Sequence, residues 1–96
     1  MHGGGYETGN GNLDASSLVS LLSGRLIVVS LNYRLAALGF LAVDALEGAN
    51  YGFADQMEAL RWIKTHIADF GGDPARVTVM GESSGGTSTK RFRPER

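Results

Sequence analysis

The chain has 96 residues, of which 43% are apolar and 20% charged, with a formal net charge of -1 and no cysteine. That length allows at most one small domain, the balance excludes a disordered polyelectrolyte and gives no reason to expect nucleic acid as a partner, and the lack of cysteine excludes disulfides and thiolate metal sites. The N-terminus has neither a basic nor an apolar targeting segment and no apolar run is long enough to cross a bilayer, so no membrane span is expected, while compartment and oligomeric state stay open.

Residues 2–12, rich in Gly and Asn, predict an extended loop. Asp14 or Ser16 caps a short predicted helix whose apolar face is Leu18, Leu21 and Leu22, and Gly24 ends it. Residues 26–31 form an almost unbroken apolar, β-branched run, the pattern of a strand buried on both faces of a parallel sheet. Residues 35–50 show no sustained period and predict a loop with short turns. From Phe53 the spacing changes: Phe53, Met57, Leu60, Ile63, Ile67 and Phe70 mark one face of a helix of about five turns at ~3.6 residues each, with Asp55, Glu58, Arg61, Thr65 and Asp69 toward water. Gly71-Gly72 stops this helix and Pro74 prevents its resumption. A second predicted strand covers residues 77–80. The alternation of helix and strand predicts an α/β fold.

Chemistry concentrates at the two ends. Twelve of the fourteen glycines cluster at residues 3–11, 48–52 and 71–86, and the last cluster contains Gly81-Glu82-Ser83-Ser84-Gly85-Gly86 directly after the second predicted strand. A serine flanked two residues away on each side by glycine, between a strand and a helix, has the pattern of a nucleophile elbow, in which a strained turn lifts the serine hydroxyl into solvent. Ser83 is therefore the candidate nucleophile. Acyl transfer also needs donors for the oxygen that becomes negative, and glycine loops present backbone N–H groups without obstruction. His2-Gly3-Gly4-Gly5 is such a loop, and the N–H groups of Gly4, Gly5 and Ser84 form a candidate oxyanion hole.

With these two motifs the chain resembles the carboxylesterase type B, or cholinesterase-like, family of the α/β-hydrolases. The resemblance runs from His2 to about Ser88 and is also carried by Asn32-Tyr33-Arg34-Leu35, Leu38-Gly39-Phe40-Leu41, Asn50-Tyr51-Gly52, Asp55-Gln56, Ala59-Leu60-Arg61-Trp62-Ile63 and Phe70-Gly71-Gly72-Asp73-Pro74. It implies a partial α/β-hydrolase domain over residues 1–89, followed by a basic irregular tail over residues 90–96. It further implies hydrolysis of a small carboxylic ester through an acyl-enzyme, with no metal or organic cofactor. Ser83 matches the family's nucleophile, Gly4, Gly5 and Ser84 its oxyanion donors, and Glu82 the supporting acid before the nucleophile. Asn32 and Arg34 match positions that tie loops around the site.

The departures are equally specific. The triad's acid and histidine lie downstream of the elbow in this family and are absent here, the strand before His2 is reduced to Met1, and the helix after Gly86 gives way to the basic tail. The chain is expected to be a fragment, cut at both ends, inactive or nearly so in isolation. In the family's sheet another strand separates residues 26–31 from residues 77–80, so the two are not expected to pair directly. The alternative is a non-catalytic remnant or interaction module of the same fold. His66 and His2 match no catalytic base and are expected at the surface and in shaping the loop, respectively; Trp62 is expected to pack on the sheet. A phosphate-binding reading of Gly81 to Ser88 fails for want of a lysine, because Thr87 stands in its place.

Overall fold

The computed structural model describes residues 1–41 and 50–92. Helix α1, Ser16–Leu21, starts where the Asp14 carboxylate accepts the Ser16 N–H at 2.9 Å and also the Ser16 hydroxyl, although Ala15 is the residue at the cap itself. It stops at Gly24, which takes φ 70° and donates its N–H to the Val19 carbonyl at 3.0 Å. Its apolar face is not buried as the pattern suggested: Leu21 is 78% exposed, and no residue of α1 is buried.

Residues 26–31 and 77–80 have no regular secondary structure, and the described residues contain no strand. The expected parallel sheet is therefore corrected: a strand needs a pairing partner, and among the described residues neither segment has one. Residues 26–31 make no backbone hydrogen bond among the described residues, and residues 77–80 make one, from the Met1 ammonium to the Met80 carbonyl at 2.6 Å. Between the two segments lies a cleft of about 670 Å³.

The predicted loop at residues 35–50 contains a short helix, α2, Ala36–Phe40, begun by the Ala36 N–H donating to the Tyr6 carbonyl at 2.7 Å. Residues 42–49 of that loop lie outside the described residues. The long helix, α3, spans Tyr51–His66 and tightens into a 3₁₀ turn over Ile67–Phe70. Gly71 ends it in the left-handed region at φ 83°, and the Gly72 N–H reaches the Ile67 carbonyl at 2.9 Å. Within the predicted apolar stripe, Ile63 and Ile67 are buried and Phe53 and Leu60 half-buried, but Met57 and Phe70 are exposed. The outer positions have no sheet to pack on. For the same reason Trp62 is half-exposed and lies against His66 and Phe70, with ring centroids 5.0 and 5.9 Å away.

The last helix, α4, spans Ser84–Arg91, so Lys90 and Arg91 belong to a helix where the sequence predicted an irregular tail; residues 93–96 lie outside the described residues. The Arg91 guanidinium stands 4.4 Å from the centre of the Phe53 ring, which anchors this turn to α3. Phe53 also meets Tyr6 and Phe40 at 5.5 and 5.1 Å, and this aromatic cluster joins the N-terminal loop, α2 and α3. No helix among the described residues is long and apolar enough to cross a membrane.

The buried apolar core consists of Tyr33, Ile63 and Ile67, while Leu13, Leu38, Phe70 and Met80 are each about two-thirds exposed or more. The radius of gyration is 14.6 Å, against about 12.5 Å for a compact chain of this length. So little burial does not offset the ~1–2 kcal/mol of backbone entropy lost per ordered residue. The isolated chain is expected to melt over a broad range or to aggregate on heating. Far-UV circular dichroism during a thermal ramp checks this, and a sharp, reversible, concentration-independent transition would contradict it.

Candidate active site

Ser83 is the cap residue at the start of α4, shortly after residues 77–80. Its backbone adopts φ 52° and ψ -121°, a sparsely populated conformation for a residue with a side chain, and the residue is exposed at the helix N-terminus. The flanking glycines are required by close approach. A Cβ on Gly81 would strike the Gly85 carbonyl and lie 2.7 Å from the Gly86 nitrogen, and one on Gly85 would strike the Met1 carbonyl and lie 2.6 Å from that of His2. Side chains at either position would force apart the turn, α4 and the N-terminal segment.

The glycine loop lies against this turn. A Cβ on Gly3 would collide with the Glu82 carboxylate and come within 3.0 Å of the Ser83 Cβ, so only glycine lets the two segments touch. Gly4 and Gly5 take φ 109° and 65°, and the Gly4 carbonyl accepts the N–H groups of Glu7 and Thr8, both at 3.1 Å. In a trans peptide the N–H points opposite to the carbonyl, so the Gly5 N–H is directed away from that turn. By the same geometry, the Gly3 carbonyl's 2.7 Å contact with His2 Nδ1 turns the Gly4 N–H away from the imidazole. The Ser83 carbonyl accepts the Thr87 N–H at 3.0 Å, which aims the Ser84 N–H out of the helix. Among the described residues, none of these three N–H groups has a backbone or side-chain acceptor.

Supporting contacts come partly from residues to which the motif assigned no role. The Tyr33 hydroxyl donates to the His2 carbonyl at 2.9 Å, and its ring stacks on the His2 imidazole at 4.5 Å. Burial raises the Tyr33 phenol above its ordinary pKa and keeps it a donor. The Ser84 carbonyl accepts the Tyr6 hydroxyl at 2.9 Å and the Ser88 hydroxyl at 3.1 Å. Tyr33 stood inside a quoted motif, whereas Tyr6 and Ser88 had no spacing signal because their partner is a backbone oxygen distant in sequence.

Loop ties also form. Asn32 Oδ1 accepts the Gly11 N–H at 2.8 Å. Asp55, which the helical wheel placed toward water, accepts Arg34 Nε at 2.8 Å, Nη2 at 2.7 Å and the Arg34 N–H at 3.0 Å. These bonds hold its carboxyl below the usual carboxylate range, so their contribution to stability is present above about pH 4 and is lost as the pH falls through the lowered pKa. The next residue, Gln56, is fully buried, and its amide has no partner among the described residues.

Among the described residues no side chain accepts a hydrogen bond from the Ser83 hydroxyl. The His2 ring lies between Tyr33 and the Gly3 carbonyl with its Nε2 buried, and His66 lies on α3 against Trp62. Neither imidazole hydrogen-bonds Ser83, in agreement with the loop-shaping and surface positions expected for them.

Ser83 thus stands exposed at a helix N-terminus with the glycine loop pressed against its turn. The chain belongs to the carboxylesterase family, whose model matches residues 1–92. It is 49% identical over 86 residues to neuroligin-2 of Mus musculus, covering 88% of this chain and 10% of that protein. It is 46% identical over 90 residues to cocaine esterase of Oryctolagus cuniculus, covering 92% of this chain and 16% of the relative. Among solved structures, a thermophilic PNB esterase superposes with a TM-score of 0.83 at 44% identity, covering 93% of this chain and 19% of the other. A second PNB esterase superposes with the same TM-score at 45% identity, covering 93% and 20%. The chain thus spans between a tenth and a fifth of the length of these proteins, and the α/β-hydrolase fold of its neighbours is matched here without their sheet.

Proposed function

We propose that this chain carries the nucleophile and oxyanion donors of a carboxylic ester hydrolase. Ser83 is the nucleophile, the N–H groups of Gly4, Gly5 and Ser84 are the donors, and Glu82, in contact with the glycine loop, is a supporting acid. The observation that carries this reading is the exposed Ser83 at φ 52° with Gly3 packed against it. In the reaction, Ser83 Oγ attacks the ester carbonyl carbon and its proton passes to a base. The carbonyl oxygen gathers negative charge opposite the three N–H groups, the alcohol leaves with a proton from that base, and water then releases the acid. The base must come from outside the described residues, so the isolated chain is read as lacking turnover.

A chimaera in which residues 1–92 replace the matching segment of a PNB esterase supplies that base. Exposed to a fluorophosphonate ester and digested, it is expected to carry the phosphonyl adduct on the Ser83 peptide, whereas the isolated chain stays unlabelled. A chimaera that folds like its parent but takes no label at Ser83 would overturn the reading. It would favour a non-catalytic interaction module, which the unpaired serine and the kinship to neuroligins support.

A further inference from the structure

Asn10-Gly11 is the only pair in the sequence in which glycine follows an asparagine or an aspartate. Glycine has no Cβ to shield its nitrogen, so that nitrogen can reach the carboxamide carbon of the residue before it. Asn12, Asn32 and Asn50 are followed by Leu13, Tyr33 and Tyr51, whose side chains crowd the same approach. Asn10 is also exposed, which admits water and hydroxide to its amide.

Two hydrogen bonds at this pair act in opposite directions. The Asn12 N–H donates to Asn10 Oδ1 at 2.9 Å. It draws electron density from Cγ and faces the oxygen that becomes negative when a nucleophile adds there. The Gly11 nitrogen would be that nucleophile, but its N–H is held by Asn32 Oδ1 at 2.8 Å. A Cβ on Gly11 would lie 2.7 Å from the Leu31 carbonyl oxygen, so the packing that allows this tie also demands the residue that makes position 10 labile.

We infer that Asn10 is a site of spontaneous deamidation, at which the side-chain amide is lost through a cyclic imide and the hydrogen bond from Gly11 to Asn32 sets the rate. This does not rest on the esterase reading. Hydroxide takes the Gly11 amide proton and the freed nitrogen attacks Asn10 Cγ. The N–Cγ bond forms, the Cγ–Nδ2 bond breaks, and the amide nitrogen, protonated by water, leaves as ammonia. The imide then takes up one water. Opening at Cγ leaves aspartate, and opening at the main-chain carbonyl leaves isoaspartate, whose main chain runs through Cβ and Cγ. Isoaspartate thus adds one carbon to the link between Gly9, packed on the Gly3 carbonyl, and Gly11, packed on Leu31, and either product places a negative charge there.

The test incubates the whole chain at mildly alkaline pH and follows each asparagine by peptide mass spectrometry, with fragmentation that separates isoaspartate from aspartate. Conversion is expected at Asn10 while Asn12, Asn32 and Asn50 keep their amides, with isoaspartate among the products. Asn32→Ala should speed the conversion ~3- to 10-fold, the factor that one net hydrogen bond is worth. Asn32→Asp keeps an oxygen acceptor and adds a charge that opposes loss of the Gly11 proton, so it should convert no faster than the unaltered chain. A general loss of folding would speed both variants alike. Equal rates in all three chains, or equal acceleration in both variants, would overturn the control by Asn32. Conversion of another asparagine ahead of Asn10, an Asn10 that keeps its amide, or aspartate formed without isoaspartate, as in direct hydrolysis, would overturn the site itself.

Discussion

Alanine at position 83 is expected to lower ester turnover of the chimaera by at least ~10⁴-fold, mostly in kcat, with the KM for a p-nitrophenyl ester changed little. A serine nucleophile takes part in the transition state and contributes almost nothing to ground-state binding, so its removal appears in the chemical step. What remains after its loss is the ~10³- to 10⁴-fold advantage over water that oxyanion donors and binding supply by themselves. Steady-state kinetics of Ser83→Ala beside the unaltered chimaera checks this. A loss below tenfold, with folding intact by circular dichroism, would mean that Ser83 is a turn residue and no nucleophile.

Gly85→Ala is expected to be nearly as damaging by a different route. The added methyl would collide with the Met1 carbonyl and lie 2.6 Å from that of His2, and neither is a side-chain end that swings away. Relief requires α4 and the glycine loop to separate, at ~1–3 kcal/mol or more for overpacking, and the proposed oxyanion donors Gly4 and Gly5 would move with the loop. Both the melting temperature and kcat of the chimaera should fall. Gly5→Ala provides the contrast: nothing lies within 4 Å of that Cβ, so its cost is limited to the ~1–2 kcal/mol of a left-handed φ. Equal melting temperatures for the two variants would show that the contact at Gly85 does not hold the segments together.

The turn at Ser83 was more legible in the sequence than the sheet was. Gly85 is required by the Met1 and His2 carbonyls at the far end of the chain, whereas at Gly81 the clash is with Gly85 and Gly86, a few residues away, and is legible in local sequence. The helix over Tyr51–His66 was legible for the same reason, since a helix satisfies its own backbone. Residues 26–31 carry an equally plain pattern, but a strand is completed by another segment, and no sequence window records whether that segment stands beside it. Asp55 was misplaced toward water because a helical wheel assigns a face and knows nothing of Arg34 arriving from a loop. Trp62 was expected to pack on a sheet, and the described residues form none.

The contacts that hold the candidate site together are among the most distant in the chain. Met1 with Met80, Tyr6 with Ser84 and Tyr6 with Ser88 are separated by 79, 78 and 82 positions. Closing a loop of about 80 residues costs only ~1.2 kcal/mol more than closing one of 20, so distance alone weakens the site little. Its consequence is kinetic: α3 forms from neighbours within a turn, whereas the glycine loop waits for its partner at the far end of the chain. During synthesis the glycine loop emerges before Ser83, and the contacts of Tyr6 with Ser84 and Ser88 form only once that end of the chain has left the ribosome.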